Sequence, residues 1–259
     1  MPEKIKPKKS LGQNFLKNKV TVNLISDIIN IRENDFVIEI GPGMGAITEN
    51  ILNNTKNYVG IEKDPRLSEY LKKKYKKNIQ IINKDVLKVE FSNIYKKKYR
   101  IIGNIPYNIS TEIIIKCIKN RMDMHSAFFM MQKEFVDRIQ SQFGNKVFGR
   151  LSVFCQIFFD IEKYIDISPK DFYPEPKVYS SFFSITPKNK ILLEENEIES
   201  FLNFVKNIFE KRRKKIKNCI LVKNDNLYDN IDKRAEQLSI QEMINLYRDL
   251  KNDGKLIQN

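Results

Sequence analysis

From Phe36 to about Thr186 the chain alternates short, predominantly apolar runs with longer stretches whose apolar positions recur every three or four residues. The runs Phe36–Ile40, Tyr58–Ile61, Ile79–Ile82, Arg100–Gly103 and Ala127–Met131 read as strands, with a late pair near Tyr164–Ile167 and Ser181–Ile185. Between them Ala46–Asn53, Arg66–Tyr75, Thr111–Asn120 and Leu151–Phe159 read as helices, and Val20–Ile29 as a first core helix. Short strands apolar on both faces and separated by helices predict an α/β fold with a doubly wound, mainly parallel sheet. Ligands of such sheets bind outside the carboxyl ends of the strands, so residues that close a strand are the first candidates for function. Pro187-Lys188-Asn189-Lys190 breaks the pattern, and beyond it only helical spacing remains, as in Ile198, Phe201, Leu202, Val205, Ile208 and Phe209. The expectation is a large domain over 1–187 and a small all-helical domain over 188–259.

At 259 residues the chain can bury a full core. Its 46 Lys and Arg against 32 Asp and Glu give a net charge of +14, which suits a polyanionic partner such as nucleic acid or an acidic membrane. Abundant Lys, Asn and Ile also fit an AT-rich genome, so charge alone does not decide. Lys72–Lys74 and Lys96–Lys98 read as solvated faces. Cys117, Cys155 and Cys219 are widely spaced and odd in number, which argues against a disulfide framework. The single histidine, His125, has no ligand-spaced neighbours, so no metal site is expected. Neither a secretory h-region nor a membrane-length apolar stretch is present. A cytoplasmic, soluble monomer without a membrane partner is the expectation.

Val37-Ile38-Glu39-Ile40-Gly41-Pro42-Gly43-Met44-Gly45-Ala46 runs from a strand into a glycine-rich turn that opens a helix. Glu62 closes the next strand, at a spacing suited to gripping a ribose diol. Gly41, Gly43 and Ala46 also satisfy the dinucleotide fingerprint, which leaves NAD open. Three features tilt against it: Glu39 in the approach to the turn, Pro42 between two glycines, and a further acid, Asp85, ending the third strand before Val86. Carboxylates around one pocket repel a pyrophosphate and welcome a sulfonium with an amino acid tail, such as S-adenosylmethionine.

Arg100-Ile101-Ile102-Gly103-Asn104-Ile105-Pro106-Tyr107 places an amide, a φ-fixing proline and an aromatic ring at another strand end. Methyl transfer to the exocyclic amine of a base needs that combination. The Asn104 oxygen and a carbonyl beside Pro106 can accept the amine hydrogens, and Tyr107 can stack on the base. A plain turn is the alternative, since Asn, Pro and Gly are ordinary turn residues. Upstream, Lys8-Lys9-Ser10-Leu11-Gly12-Gln13-Asn14-Phe15-Leu16 reads equally as a cofactor cover or as a helix cap and docking segment.

Ser10–Leu16, Glu39–Gly43, Gly103–Ser110 and Gln132-Lys133-Glu134 occur in the order of one family, continued by Gly149–Ser152, Phe172, Pro176-Lys177-Val178 and Arg212-Arg213-Lys214. The chain closely resembles the bacterial small-subunit rRNA adenine N6,N6-dimethyltransferases of the KsgA/RsmA type. The resemblance implies a Rossmann-like class I methyltransferase domain, a helical C-terminal domain and S-adenosyl-L-methionine as methyl donor. It implies as substrate two adjacent adenosines near the 3′ end of small-subunit rRNA, each dimethylated within an assembling small ribosomal subunit. Carried over, Asn14, Leu16 and Gly41 contact the cofactor, Glu62 holds its ribose, and Asp85 with Val86 holds its adenine. Asn104 borders cofactor and target amine, and Phe172 faces Tyr107 across a flipped base. Glu39 and Gly43 complete the expected cofactor set; Arg212, Arg213, Lys214 and Lys215 are the expected RNA contacts, on a cationic helix face. Two positions depart from the family pattern, Ile105 for Leu and Tyr179 for Asp. A DNA adenine methyltransferase and a non-catalytic rRNA-binding assembly factor are the alternative readings.

Overall fold

The computed structural model describes residues 5–76, 79–211, 213–220 and 228–254. In chain order the elements are β1 (Phe15–Leu16), α1 (Lys19–Ile29), β2 (Val37–Ile40), α2 (Thr48–Asn54), β3 (Tyr58–Ile61), α3 (Pro65–Tyr75) and β4 (Gln80–Ile82). There follow β5 (Tyr99–Asn104), α4 (Ser110–Lys119), β6 (Met124–Gln132), α5 (Lys133–Gln140), α6 (Arg150–Phe158), β7 (Phe159–Ile167), β8 (Phe172–Tyr173) and β9 (Ser180–Pro187). Helices α7 (Ile198–Glu210), α8 (Lys217–Ile220) and α9 (Ile240–Asn252) complete the described chain. Two compact units result, one from the residues up to Val136 with Asp160–Pro187, the other from Asp137–Phe159 with the residues from Lys188 on.

The first unit carries a seven-stranded sheet in the order β4-β3-β2-β5-β6-β9-β7. Strands β4, β3, β2, β5 and β6 are mutually parallel, and β9 runs antiparallel to β6. All four residues of β2 are buried, as are all four of β3, which is why they read as apolar runs, with Glu39 the one charged residue among them. The chain leaves β2 towards β3 and β4 and later returns on its other side to form β5 and β6. The switch point between β2 and β5 is where such sheets leave a crevice at the carboxyl ends. Helix ends nearby are fixed locally. Asp64 accepts from the Arg66 amide at 3.1 Å to start α3, with Pro65 at the first helical position. Asn18 caps α1 through the Val20 amide at 3.0 Å. A separate two-residue ribbon pairs β1 with β8 antiparallel, setting Phe15 opposite Tyr173 and Leu16 opposite Phe172.

In the second unit Phe201, Phe204 and Tyr247 pack ring against ring, the Phe201–Tyr247 pair edge-on at 5.3 Å. Arg248 pairs with Glu197 at 2.8 Å. The sequence reading assigned Asp137–Phe159 to the first domain, and the structure corrects it. Phe148 meets Phe209 edge-on at 6.2 Å, so the apolar face of this excursion is covered by α7, far downstream. Among the described residues no helix is long and apolar enough to cross a membrane.

Candidate active site

The crevice at the switch point is an open, solvent-connected cavity within the first unit. Its walls bring together Asn14, Gly41, Gly43, Glu62, Asp85, Val86, Asn104, Pro106 and Tyr107, nine of the residues singled out from sequence. One side is the glycine turn. Gly41 and Gly43 adopt φ of +63° and +61°, a left-handed conformation that a side chain would strain. A Cβ on Gly43 would also stand 3.2 Å from the Phe15 ring. The bare backbone therefore meets the cavity directly.

Glu62 is buried at the end of β3. Its two oxygens accept from the Gly43 amide at 3.1 Å and the Asp64 amide at 2.8 Å. Burial pushes its carboxyl above the usual range, with these backbone donors working in the opposite sense. Asp85 accepts from the Leu87 amide at 3.0 Å and from Lys63 at 2.8 Å, and the lysine holds its carboxyl below the usual range. Two accepting carboxylates a strand apart, a side-chain-free turn and the apolar Ile61, Leu67 and Val86 make a lining suited to a ribose diol, an amino acid tail and a purine. These residues fit S-adenosylmethionine.

On the far wall, Asn104 ends β5 and donates its side-chain NH₂ to the Asn14 carbonyl at 2.7 Å. Its remaining polar atom, Oδ1, is an acceptor. The Pro106 carbonyl is taken by the Ile109 amide at 3.1 Å. That leaves the Ile105 carbonyl, whose direction the following proline restricts, as the second acceptor. The Ile105 amide is itself tied to the Met130 carbonyl at 3.0 Å, so this corner is fixed to the sheet. Tyr107 is half-buried, and its hydroxyl meets the buried Ser180 hydroxyl at 2.8 Å. Burial raises the Tyr107 pKa, and the Ser180 bond works against that rise.

The N-terminal segment covers the cavity from above β1. Gln13 bonds Asp64 at 3.1 Å, Lys8 lies 3.6 Å from the same carboxylate, and Asn14 receives Asn104. Arg66 adds a 2.6 Å ion pair, and its hydrogen bonds above all drive the Asp64 pKa well below the usual range. The segment is thus stapled at both walls.

Three expected site residues lie elsewhere. Glu39 is sealed in the sheet, accepting from Thr48 at 2.7 Å and Tyr58 at 2.6 Å rather than facing the cavity. Leu16 and Phe172 are drawn into the hydrophobic core with Ile25, Ile102 and Phe182, because the β1–β8 ribbon turns both inward. Phe15 lines the cavity instead, and a two-residue strand carries no periodicity by which it could have been found. Lys63 had no signal either. In the second unit the cations also depart from expectation. Arg213, Lys214 and Lys215 occupy a turn between α7 and α8 rather than a helix face, and Lys215 is paired with Asp232 at 2.9 Å. Arg212 lies outside the described residues.

The fold has solved counterparts. A dimethyladenosine transferase from Plasmodium falciparum superposes with a TM-score of 0.80 at 24% identity, over 93% of this chain and 98% of that one. The 23S rRNA methyltransferase ErmE superposes with a TM-score of 0.71 at 23% identity, over 95% and 100%. Fold and cavity together define a class I methyltransferase dependent on S-adenosylmethionine. The family model described as ribosomal RNA adenine dimethylase matches residues 4–252. Curated relatives include the ribosomal RNA small subunit methyltransferases A of Flavobacterium johnsoniae, 40% identical over 97% of this chain and 98% of its own length, and of a Sulfurihydrogenibium species, 36% identical over 97% and 99%. The chain belongs to the ribosomal RNA adenine dimethylase family.

Proposed function

We propose that this protein transfers methyl groups from S-adenosylmethionine to N6 of two adjacent adenosines near the 3′ end of small-subunit rRNA, dimethylating each in an assembling small subunit. The observation that carries the reading is Asn104-Ile105-Pro106-Tyr107 at the end of β5, walling the same cavity as the glycine turn and Glu62. An exocyclic amine is a weak nucleophile because its lone pair is delocalised into the ring. Asn104 Oδ1 and the Ile105 carbonyl accept its two hydrogens and draw the lone pair out of conjugation. When bound, the cofactor supplies a methyl group on a sulfonium for in-line displacement. The amine then loses its proton to water, and no titrating base is needed. Orientation and hydrogen-bond polarisation supply the acceleration. Tyr107, anchored through Ser180, offers its ring to the target base, which offsets the few kcal/mol needed to unstack it.

Glu62 holds the ribose, Asp85 and Val86 the adenine, and Asn14, Gly41 and Gly43 the amino acid end. Arg213 and Lys214, with Arg212, contact the phosphate backbone. The protein acts as a cytoplasmic monomer, and the domains divide its labour between cofactor chemistry and rRNA contact. The test is to supply labelled cofactor and undermethylated small subunits and to map the label by nucleotide. Dimethyladenosine at one adjacent pair is the expected result, with duplex DNA inert. Transfer to DNA alone, or to another base, overturns the reading.

A further inference from the structure

Every Phe and Tyr of the first unit is buried or half-buried among the described residues, except two: Tyr173 and Tyr179, 57% and 54% exposed. Both lie in the one segment Tyr173-Pro174-Glu175-Pro176-Lys177-Val178-Tyr179. Its ends are tied to the walls of the cavity. At one end Tyr173 pairs with Phe15, whose ring lies against the glycine turn. At the other, Tyr179 precedes Ser180, which holds the Tyr107 hydroxyl, and the Tyr179 carbonyl accepts from the Lys133 amide at 2.9 Å. The segment therefore runs along the rim between the cofactor side and the target-base side.

Its composition suits a nucleic acid. Pro174 and Pro176 each fix φ, so the rings are displayed with little freedom left to lose on binding. Glu175 is neutralised by Lys17 at 3.7 Å. Lys177 is exposed and has no ionic partner among the described residues, which leaves a cation between two rings. Aromatic faces with an interleaved cation are what single-stranded RNA binders use, rings for bases and the cation for phosphate.

We infer that Tyr173 and Tyr179 form a stacking rim for the unpaired nucleotides flanking the target adenosine, with Lys177 on the intervening phosphate. The inference rests on the rRNA reading above and adds a substrate-contacting surface to it. Each ring stacks on one base face, so the rim feeds a single strand past the cavity mouth while one base turns in.

The test uses the full chain and undermethylated small subunits. Tyr173→Ala with Tyr179→Ala is expected to weaken subunit binding about tenfold or more, while calorimetry shows unchanged affinity for S-adenosylmethionine. Tyr179→Phe keeps the face of the ring and is expected to bind as the parent does. Independently, a photoreactive benzoylphenylalanine at position 173 or 179, irradiated on the subunit, is expected to cross-link to rRNA beside the methylated pair. Unchanged subunit affinity of the double variant overturns the inference. Cross-links to ribosomal protein alone overturn it in favour of a protein-docking rim. Failure of the underlying reading is seen separately, as absence of dimethyladenosine from the unaltered protein.

Discussion

A carboxylate shut away from water on β2 has to be either protonated or held by donors, and Glu39 has both remedies at hand. Its bonds from Tyr58 and Thr48 satisfy one oxygen, yet burial dominates and lifts its pKa from an ordinary 4.5 to about 7. Between those two pH values the folded state holds a proton that the unfolded state has released. Stability conferred at low pH is therefore lost as pH rises through that window, at up to about 1.4 kcal/mol per pH unit, and is level above it. Glu39→Gln keeps the acceptor and removes the titration. Thermal melts from pH 5 to 8 are expected to show the variant gaining on the parent with rising pH, with cofactor affinity unchanged. A large loss of cofactor affinity instead would return Glu39 to the cavity, where its position in the sequence had put it. Periodicity tells that position 39 is in a strand but not which face meets the ligand, since β2 is covered on both.

Among the elements, the parallel strands were legible because each is a short run dominated by apolar residues, and the glycine turn because only glycine takes those φ values cheaply. The β1–β8 ribbon was not legible. Two residues carry no periodicity, and their partners lie more than 150 residues away along the chain, so Leu16 and Phe172 were credited to the cavity while Phe15 was passed over. The same ribbon anchors one end of the N-terminal cover, and the Asp64 cluster anchors the other. Asp64 is not itself a wall of the cavity. Asp64→Asn retains an oxygen to cap α3 but cannot accept from both Gln13 and Arg66. Calorimetry is expected to show S-adenosylmethionine binding weakened by about tenfold, or ~1.4 kcal/mol, with the glycine turn and Glu62 untouched. Unaltered affinity would mean that the cover contributes nothing to holding the cofactor.

For the whole molecule, a net charge of +14 makes association with a polyanion salt-dependent, and the useful question is which cations carry the slope. Lys215 is engaged with Asp232, as is Lys217 at 3.2 Å, whereas Lys214 is exposed and has no ionic partner among the described residues. Lys214→Gln is expected to weaken subunit binding and flatten its dependence on log salt by roughly 0.7–0.9. Lys215→Gln is expected to change the slope less, because its charge is already partly compensated. Filter binding across a salt series separates the two, and equal slopes for both variants and the parent would confine the RNA footprint to other surfaces. The charge run itself was plain in the sequence. The placement of Arg213, Lys214 and Lys215 in a turn was not, because a short run of cations holds no apolar spacing by which to tell turn from helix.

The excursion from Asp137 to Phe159 bears on how the chain is born. A ribosome delivers this segment before β9 and well before α7, so Phe148 emerges many residues ahead of Phe209, the ring that covers it. During that interval Phe148 lacks the ring that packs against it in the finished fold. Synthesis must run on past Glu210 before the second unit can close, and a transcript truncated after Pro187 would release a product with its catalytic sheet encoded in full but its second unit without α7 and α9.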